Sequence, residues 1–431
     1  MSRTCMTRVV MAAGSAALLV PALAAAAPDA GTTQTVTFRG YSAEVPASWP
    51  VYDLSAYPET CVRFDRHAVY LGEPGAEQDC PSHAAGRTEA MLLAPAKGAG
   101  GRQFTSGLAG GTRRLLTDDG VSVTATYHSN PGLIEDAIGR GPWADRRIAP
   151  SPPAGADGQP GAGPAVPGEG TRAGKRPVPL AQGQSAATGD RHPDWNVYTG
   201  RGFDTCSAPS SRAMSAWLDS PHRAIGVYIG GANRACPDGN LSASWLTTQA
   251  SKGWHFLPTY VGLQAPCVGQ PGLAHIDPGL ASSQGAAAAD QAVGRAQYFG
   301  IAAGSPIYYD MEHYDSGDGA CRGTVLTYLE AWTERLHQHG YLSGVYGGSA
   351  STIHDLAEAF ERGRRPPPDA IWMARWNGQA TVWGDSYVPD GYWRFQQRVH
   401  QYRGPHPESY GAVTLNIDSD YVDGPVAKLA P

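Results

Sequence analysis

Lysine, positive charge and long apolar runs are all scarce in this chain. Four of its 33 basic residues are lysine, the net charge is −6, and charged residues amount to 17%. A nucleic-acid partner would favour a basic surface, so none is expected. Beyond residue 27 no stretch of about 18 apolar residues occurs, so no transmembrane segment is expected in the remainder of the chain. There is no HExxH, no Gly-rich phosphate loop and no CxxC pair, the usual marks of zinc peptidases, nucleotide sites and zinc knuckles. Gly347-Gly348-Ser349-Ala350-Ser351 lacks the form of a nucleophile elbow, and no Asp or His is placed to support Ser349. No metal or organic cofactor is expected.

The 431 residues, 42% of them apolar, suit a globular protein with room for two or three domains. Residues 1–27 read as an export signal: Arg3 and Arg8 lead, Val9–Leu23 is mostly apolar, and Ala22–Ala27 offers small-residue cleavage sites. The expected product is secreted. Of seven cysteines Cys5 leaves with the signal; Cys61, Cys80, Cys206, Cys236, Cys267 and Cys321 remain. An even number in an exported chain points to disulfides, and six cysteines allow about 15 pairings. Locality favours Cys61 with Cys80, leaving four for the second half.

Residues 28–149 alternate apolar and polar in short runs broken by Gly and Pro, as in Val121-Ser122-Val123-Thr124-Ala125-Thr126-Tyr127. They predict a small β-rich or α+β accessory domain holding a disulfide. Asp65, His67 and His83 are scattered there and read as solvated surface. Residues 150–196, dominated at first by Pro, Gly and Ala, predict a disordered linker that leaves the flanking domains mechanically independent. From 197 to 431 strand-like and helix-like segments alternate. Strands are expected to end near Asp204, Gly230, Gly262, Glu312, Gly347, Trp376, Gln401 and Asp418, with helices over Ala281–Phe299 and Arg322–His339. Eight such strands predict an α/β fold, an irregular TIM-type (β/α) barrel whose last three strands are too close for full helices between them.

The pattern richest in chemistry is Pro306-Ile307-Tyr308-Tyr309-Asp310-Met311-Glu312. Strand side chains alternate faces, so Asp310 and Glu312 share one, roughly 6.5–7 Å apart. Two carboxyls on one side of a strand tip repel when both are ionised, so one is expected to keep its proton. An acid beside a charge stabiliser is what glycosidic cleavage requires. Asp204 and Asp418 are expected at the same mouth, with Trp376, Gln401 and Tyr402. Asp315 and Asp318 read as turn formers in preference to a calcium loop.

These residues bear a resemblance to a known family. Gly202-Phe203-Asp204, Tyr308-Tyr309-Asp310-Met311-Glu312, Gly344-Val345-Tyr346-Gly347, Trp376, Gln401-Tyr402 and Asp418 resemble the actinobacterial glycoside-hydrolase-like TIM-barrel domains, once a family of unknown function and related to the family 25 muramidases. The resemblance covers about residues 197–423. It implies five regular β/α units followed by three strands lacking full helices. It also implies Glu312 as general acid, Asp310 as stabiliser of charge, and assistance from the sugar's own 2-acetamido group. Asp204 and Asp418 would hold substrate or tune the pair, while Tyr309, Tyr346, Trp376 and Tyr402 could stack on sugars. Cys206 follows the first-strand motif and Cys236, Cys267 and Cys321 fall after strands two, three and four, as in the hydrolase-like relatives. Bridges Cys206–Cys236 and Cys267–Cys321 across the mouth are inferred.

The leading expectation is a secreted hydrolase of a cell-wall glycan, peptidoglycan first. Its rival is a non-catalytic glycan-binding protein that keeps the acidic cleft. A third places an activity in the first domain.

Overall fold

The computed structural model describes residues 32–96, 103–108, 111–138, 194–364 and 366–430. The expected export signal and nearly all of the expected linker lie outside them. Among the described residues no helix is long and apolar enough to cross a membrane.

The first domain opens with a hairpin of β1 (Thr33–Phe38) and β2 (Tyr41–Pro46), turned at Arg39 and Gly40, both at positive φ. A six-stranded sheet follows: β3 (Val51–Asp53), β4 (Val69–Leu71), β5 (Ala90–Pro95), β6 (Gln103–Leu108), β7 (Thr112–Leu116) and β8 (Val121–Thr126), in spatial order β3-β4-β5-β8-β7-β6. The predicted alternation holds in β8, where Val121, Val123 and Ala125 are buried and Ser122 and Thr124 are not. Helix α1 (Pro131–Ala137) is capped by Asn130, whose side chain accepts from the Leu133 N–H. It packs Ile134 into a core with Val36, Trp49, Met91 and Val123.

The second domain is a closed barrel of eight strands: β9 (Val197–Asp204), β10 (His222–Gly230), β11 (His255–Tyr260), β12 (Pro306–Met311), β13 (Leu342–Gly348), β14 (Ala370–Ala374), β15 (Arg398–Tyr410) and β16 (Val413–Pro425). Helices α2 (Ser211–Ala216), α3 (Ala243–Ala250), α4 (Ala281–Tyr298), α5 (Gly319–Gln338) and α6 (His354–Glu361) follow the first five strands in turn. Both expected long helices are present. The predicted face of α5, with Tyr328, Leu329, Trp332 and Leu336, is buried. Asp318 caps its start by accepting from the Ala320 and Cys321 N–H groups, and Asp315 accepts from the Gly317 N–H, as turn formers do.

The final strands depart from expectation. β15 and β16 are 13 residues each, and β16 runs antiparallel to both neighbours. Asp418 therefore sits inside β16 and not at its carboxyl end. Its register still places it directly opposite Asp204.

All three expected disulfides form: Cys61–Cys80, Cys206–Cys236 and Cys267–Cys321. The first two belong to different domains yet share one buried cluster with Ala84 and Ala235. Contact between the domains continues through the backbone. Phe64 donates to the Ala235 carbonyl at 3.0 Å, Gly86 to that of Asn233 at 2.8 Å and Arg87 to that of Gly272 at 2.8 Å. The expected mechanical independence thus gives way to docking, since main-chain donors of the first domain bond carbonyls of the barrel's loops.

Replacing Cys206 and Cys236 together by Ser should cost about 3–4 kcal/mol, from the loop entropy of their 30-residue separation. Urea unfolding of the oxidised protein measures this; an unchanged midpoint would contradict it.

Candidate active site

Five carboxyl groups converge on one end of the barrel: Asp204, Asp310, Glu312, Asp418 and Asp420. Asp204 ends β9 and pairs across the sheet with Asp418 of β16, while Asp420 lies two residues further on the same face. Close approach is possible because β10 carries Gly226, where a Cβ would lie 2.6 Å from that of Asp204. Strand β12 delivers Asp310, and Glu312 follows its last residue.

Hydrogen bonds hold these acids in place. Tyr228 donates to Asp204 Oδ1 at 3.0 Å, and Gln401 Nε2 donates to Asp204 Oδ2 at 2.9 Å. Trp372 Nε1 donates to Asp420 at 2.9 Å. Gln264, fully buried, clamps the tip of β12: its amide donates to the Asp310 carbonyl and its oxygen accepts from the Glu312 N–H at 2.7 Å. Ser82 of the first domain donates to Asp418 Oδ1 at 2.9 Å. His83, also of the first domain, places Nε2 2.7 Å from Glu312 Oε1. The expectation that His83 is merely solvated surface fails, because its partner is more than 200 residues away in sequence.

The remaining expected residues divide. Tyr346 and Trp376 both donate to Gln401 Oε1, at 3.1 and 2.9 Å, so they join the site through it. Trp376 is 63% exposed, and its indole lies against Gly404, where a Cβ would come within 2.6 Å. An exposed ring fixed in this way is a ready stacking surface. Tyr309 does not belong to the mouth. It points away from Asp310 and bonds Tyr328 and the Leu263 carbonyl beneath α5. Tyr402 is buried beside the His400 ring. Sequence reasoning missed Tyr228, Gln264, Trp372 and Asp420. The Asp418-x-Asp420 spacing alone could have revealed the last of these.

Electrostatics separates the acids. Burial, reinforced by the Glu312 charge, pushes Asp310 well above its ordinary value, and both its oxygens are buried without a hydrogen-bond partner. Burial likewise raises Asp204 and Asp420, and lifts Asp418 to about 8 with help from the Asp204 charge. Burial also acts on Glu312, but the His83 charge and hydrogen bond outweigh it and hold Glu312 below its usual range. His83 in turn rises to about 10, since the Glu312 charge and hydrogen bond, with Asp310 and Asp204, overcome its own burial. Burial and neighbouring charge thus favour the proton on Asp310 over Glu312. His83, Asp310 and Glu312 also offer ligand atoms within 4.8 Å of one another, a spacing that could hold a cation.

Residues 215–422 match the family model of the Rv2525c-like, glycoside hydrolase-like domain. That span takes in most of the barrel and just under half of the chain. No curated protein matches the chain. Among solved structures, an uncharacterised B. stearothermophilus protein is 17% identical, covering 52% of this chain and 95% of its own, with a TM-score of 0.35. The Mycobacterium tuberculosis Tat-secreted protein Rv2525c, in complex with L-tartrate, is 16% identical over 52% of this chain and 96% of its own, with a TM-score of 0.36. The modular autolysin LytC from Streptococcus pneumoniae is 12% identical over 54% of this chain and 47% of its own, with a TM-score of 0.32.

A raised carboxyl pKa in the folded state stabilises fully below the unfolded value, and this is lost as pH climbs through the folded one. For Asp418 that window runs from 3.8 to about 8. Thermal unfolding followed across this range should show Tm declining in the native protein and declining less in Asp418→Asn. Equal slopes would show that Asp418 does not titrate as described.

Proposed function

We propose that the protein is a secreted glycoside hydrolase acting on a cell-wall glycan, peptidoglycan being the first candidate. The observation that carries this reading is the convergence of Asp310 and Glu312 with three further acids at one barrel mouth. The family match and the exposed, anchored Trp376 support it, and three disulfides accord with export. The barrel is read as the irregular TIM type, with full helices after its first five strands.

Glu312 is assigned as the proton donor to the leaving oxygen. It is ionised while His83 rests on it, so the proton must come from the His83–Glu312 pair or the His83 loop must first withdraw. Asp310 then faces the developing positive charge. Losing its proton as Glu312 becomes neutral would supply a carboxylate there, and the sugar's acetamido oxygen could attack the anomeric carbon. Asp204 and Asp418, fixed by Tyr228, Gln401 and Ser82, would bind hydroxyl groups of the sugar.

One observation favours a second reading, a non-catalytic glycan-binding protein: the same His83 contact keeps Glu312 from acting as an acid. Reducing-end release from purified wall material separates the two. Hydrolysis predicts that Glu312→Gln lowers the rate by about 100-fold or more with the fold intact. Fragments released equally by native and Glu312→Gln protein would remove the assignment. Saturable glycan binding without any fragments would establish the binder.

His83→Ala gives a further check. Without the imidazole Glu312 should titrate higher, moving the alkaline limb of the pH–rate profile, which a proton donor governs, to higher pH. An unmoved limb would show that His83 does not govern the Glu312 proton.

A further inference from the structure

The first domain meets the barrel mouth along one continuous arc. Ser82 bonds Asp418 of β16, and Cys206 in the loop after β9 shares a buried cluster with Cys61 and Cys80. The Gly86 N–H donates to the Asn233 carbonyl in the loop after β10, and the Arg87 N–H to that of Gly272 in the loop after β11, both at 2.8 Å. His83 meets Glu312 at the tip of β12. In the closed ring β16, β9, β10, β11 and β12 are consecutive neighbours.

Within that arc Ser82 and His83 do something particular. Their partners stand on β16 and just past β12, strands on opposite sides of the eight-membered ring. Two successive residues therefore reach both sides, and the segment carrying them crosses the mouth as a bar. It is well held. Ser82 is 1% exposed, Ala85 forms an antiparallel bridge with Arg234, and His83 Nδ1 lies 3.3 Å from the Tyr228 hydroxyl. Lifting it would strip Asp418 and Glu312 of partners at a site where unanswered buried polar groups are costly.

The other arc is β13, β14 and β15. It bears Tyr346, Trp376 and Gln401, and residues 376–379 after β14 are exposed. Gln401 accepts from Trp376 and donates to Asp204, so an exposed indole and a deeply buried acid stand one side chain apart. A sugar chain has an approach across Trp376, and the bar faces it from beyond the acids.

We infer that the mouth is a pocket closed on one side, which takes the terminus of a glycan chain and not its interior. The inference rests on the glycan reading above and narrows it to chain ends. A cleft open at both ends lets a polymer lie through it and be cut anywhere. A bar across the cleft leaves no exit past the acids, so the chain must enter end first, and each cleavage releases a short unit.

The probe is wall glycan strands freed of peptide, prepared at two mean lengths. Calorimetric titration of native and Glu312→Gln full-length protein, at equal total sugar, should count sites in proportion to the number of chains, with more in the shorter strands. Hydrolysis by the native protein should release short fragments while mean strand length falls slowly on size exclusion. Trp376→Ala should weaken strand binding by about tenfold. A folded Ser82→Gly/His83→Gly variant should begin to bind and cut within strands. Sites that scale with total sugar, or an early collapse of strand length, would overturn the inference and leave hydrolysis standing. End-counted binding without fragments from native protein would keep the inference and remove hydrolysis; neither binding nor fragments would remove both. Strict end selection by the folded double variant would overturn the assignment of the stop to Ser82 and His83.

Discussion

Negative charge taken out of water governs this structure. Asp204, Asp310, Asp418 and Asp420 are almost wholly buried at one barrel end, with Glu312 beside them. Among the described residues one imidazole, that of His83, makes direct contact with an acid of that group. Four carboxyls respond by holding protons more tightly, while the contact with His83, from another domain, draws Glu312 the other way. The hydrogen-bond donors around them, Tyr228, Trp372, Gln401 and Ser82, make the arrangement tolerable. The first domain is therefore part of the site's electrostatics.

Docking of that domain is secured at several depths. Glu77 pairs with Arg212 at 3.0 Å, Asn416 donates to Asp79 and to the Cys80 carbonyl, and Asn240 donates to the Ala76 carbonyl. Beneath these polar contacts two disulfides from different domains pack together. The segment bearing Ser82 and His83 is held at its root by Cys61–Cys80 and at its far side by Arg87. Its side chains are consequently positioned by covalent and buried contacts, which hold the His83–Glu312 ion pair in place.

Much of the barrel was legible because local rules suffice for it. Alternation along β12 put Asp310 and Glu312 on one side, and helical periodicity marked the buried face of α5. The same alternation applied to Tyr309 places it opposite Asp310; family resemblance had drawn it into the site, and the strand's geometry excludes it. Asp418 reached the mouth by a route other than the expected strand end, since β16 is antiparallel and its register supplies the placement. His83 and Gln264 were illegible for a different reason. Each acts on a partner that only the assembled fold brings near, and neither sits in a periodic pattern that would mark it.

The tight turn joining β15 to β16 carries more weight than its size suggests. Gly411 leads it at positive φ and packs on Ala216, so the turn has little room to shift. Loops after the parallel strands could gain or lose residues without moving the acids those strands deliver. Here a single inserted residue that slid β16 by one step would rotate Asp418 and Asp420 out of the barrel together. Length variation among related chains should therefore be scarce at this turn and common in the loops around it.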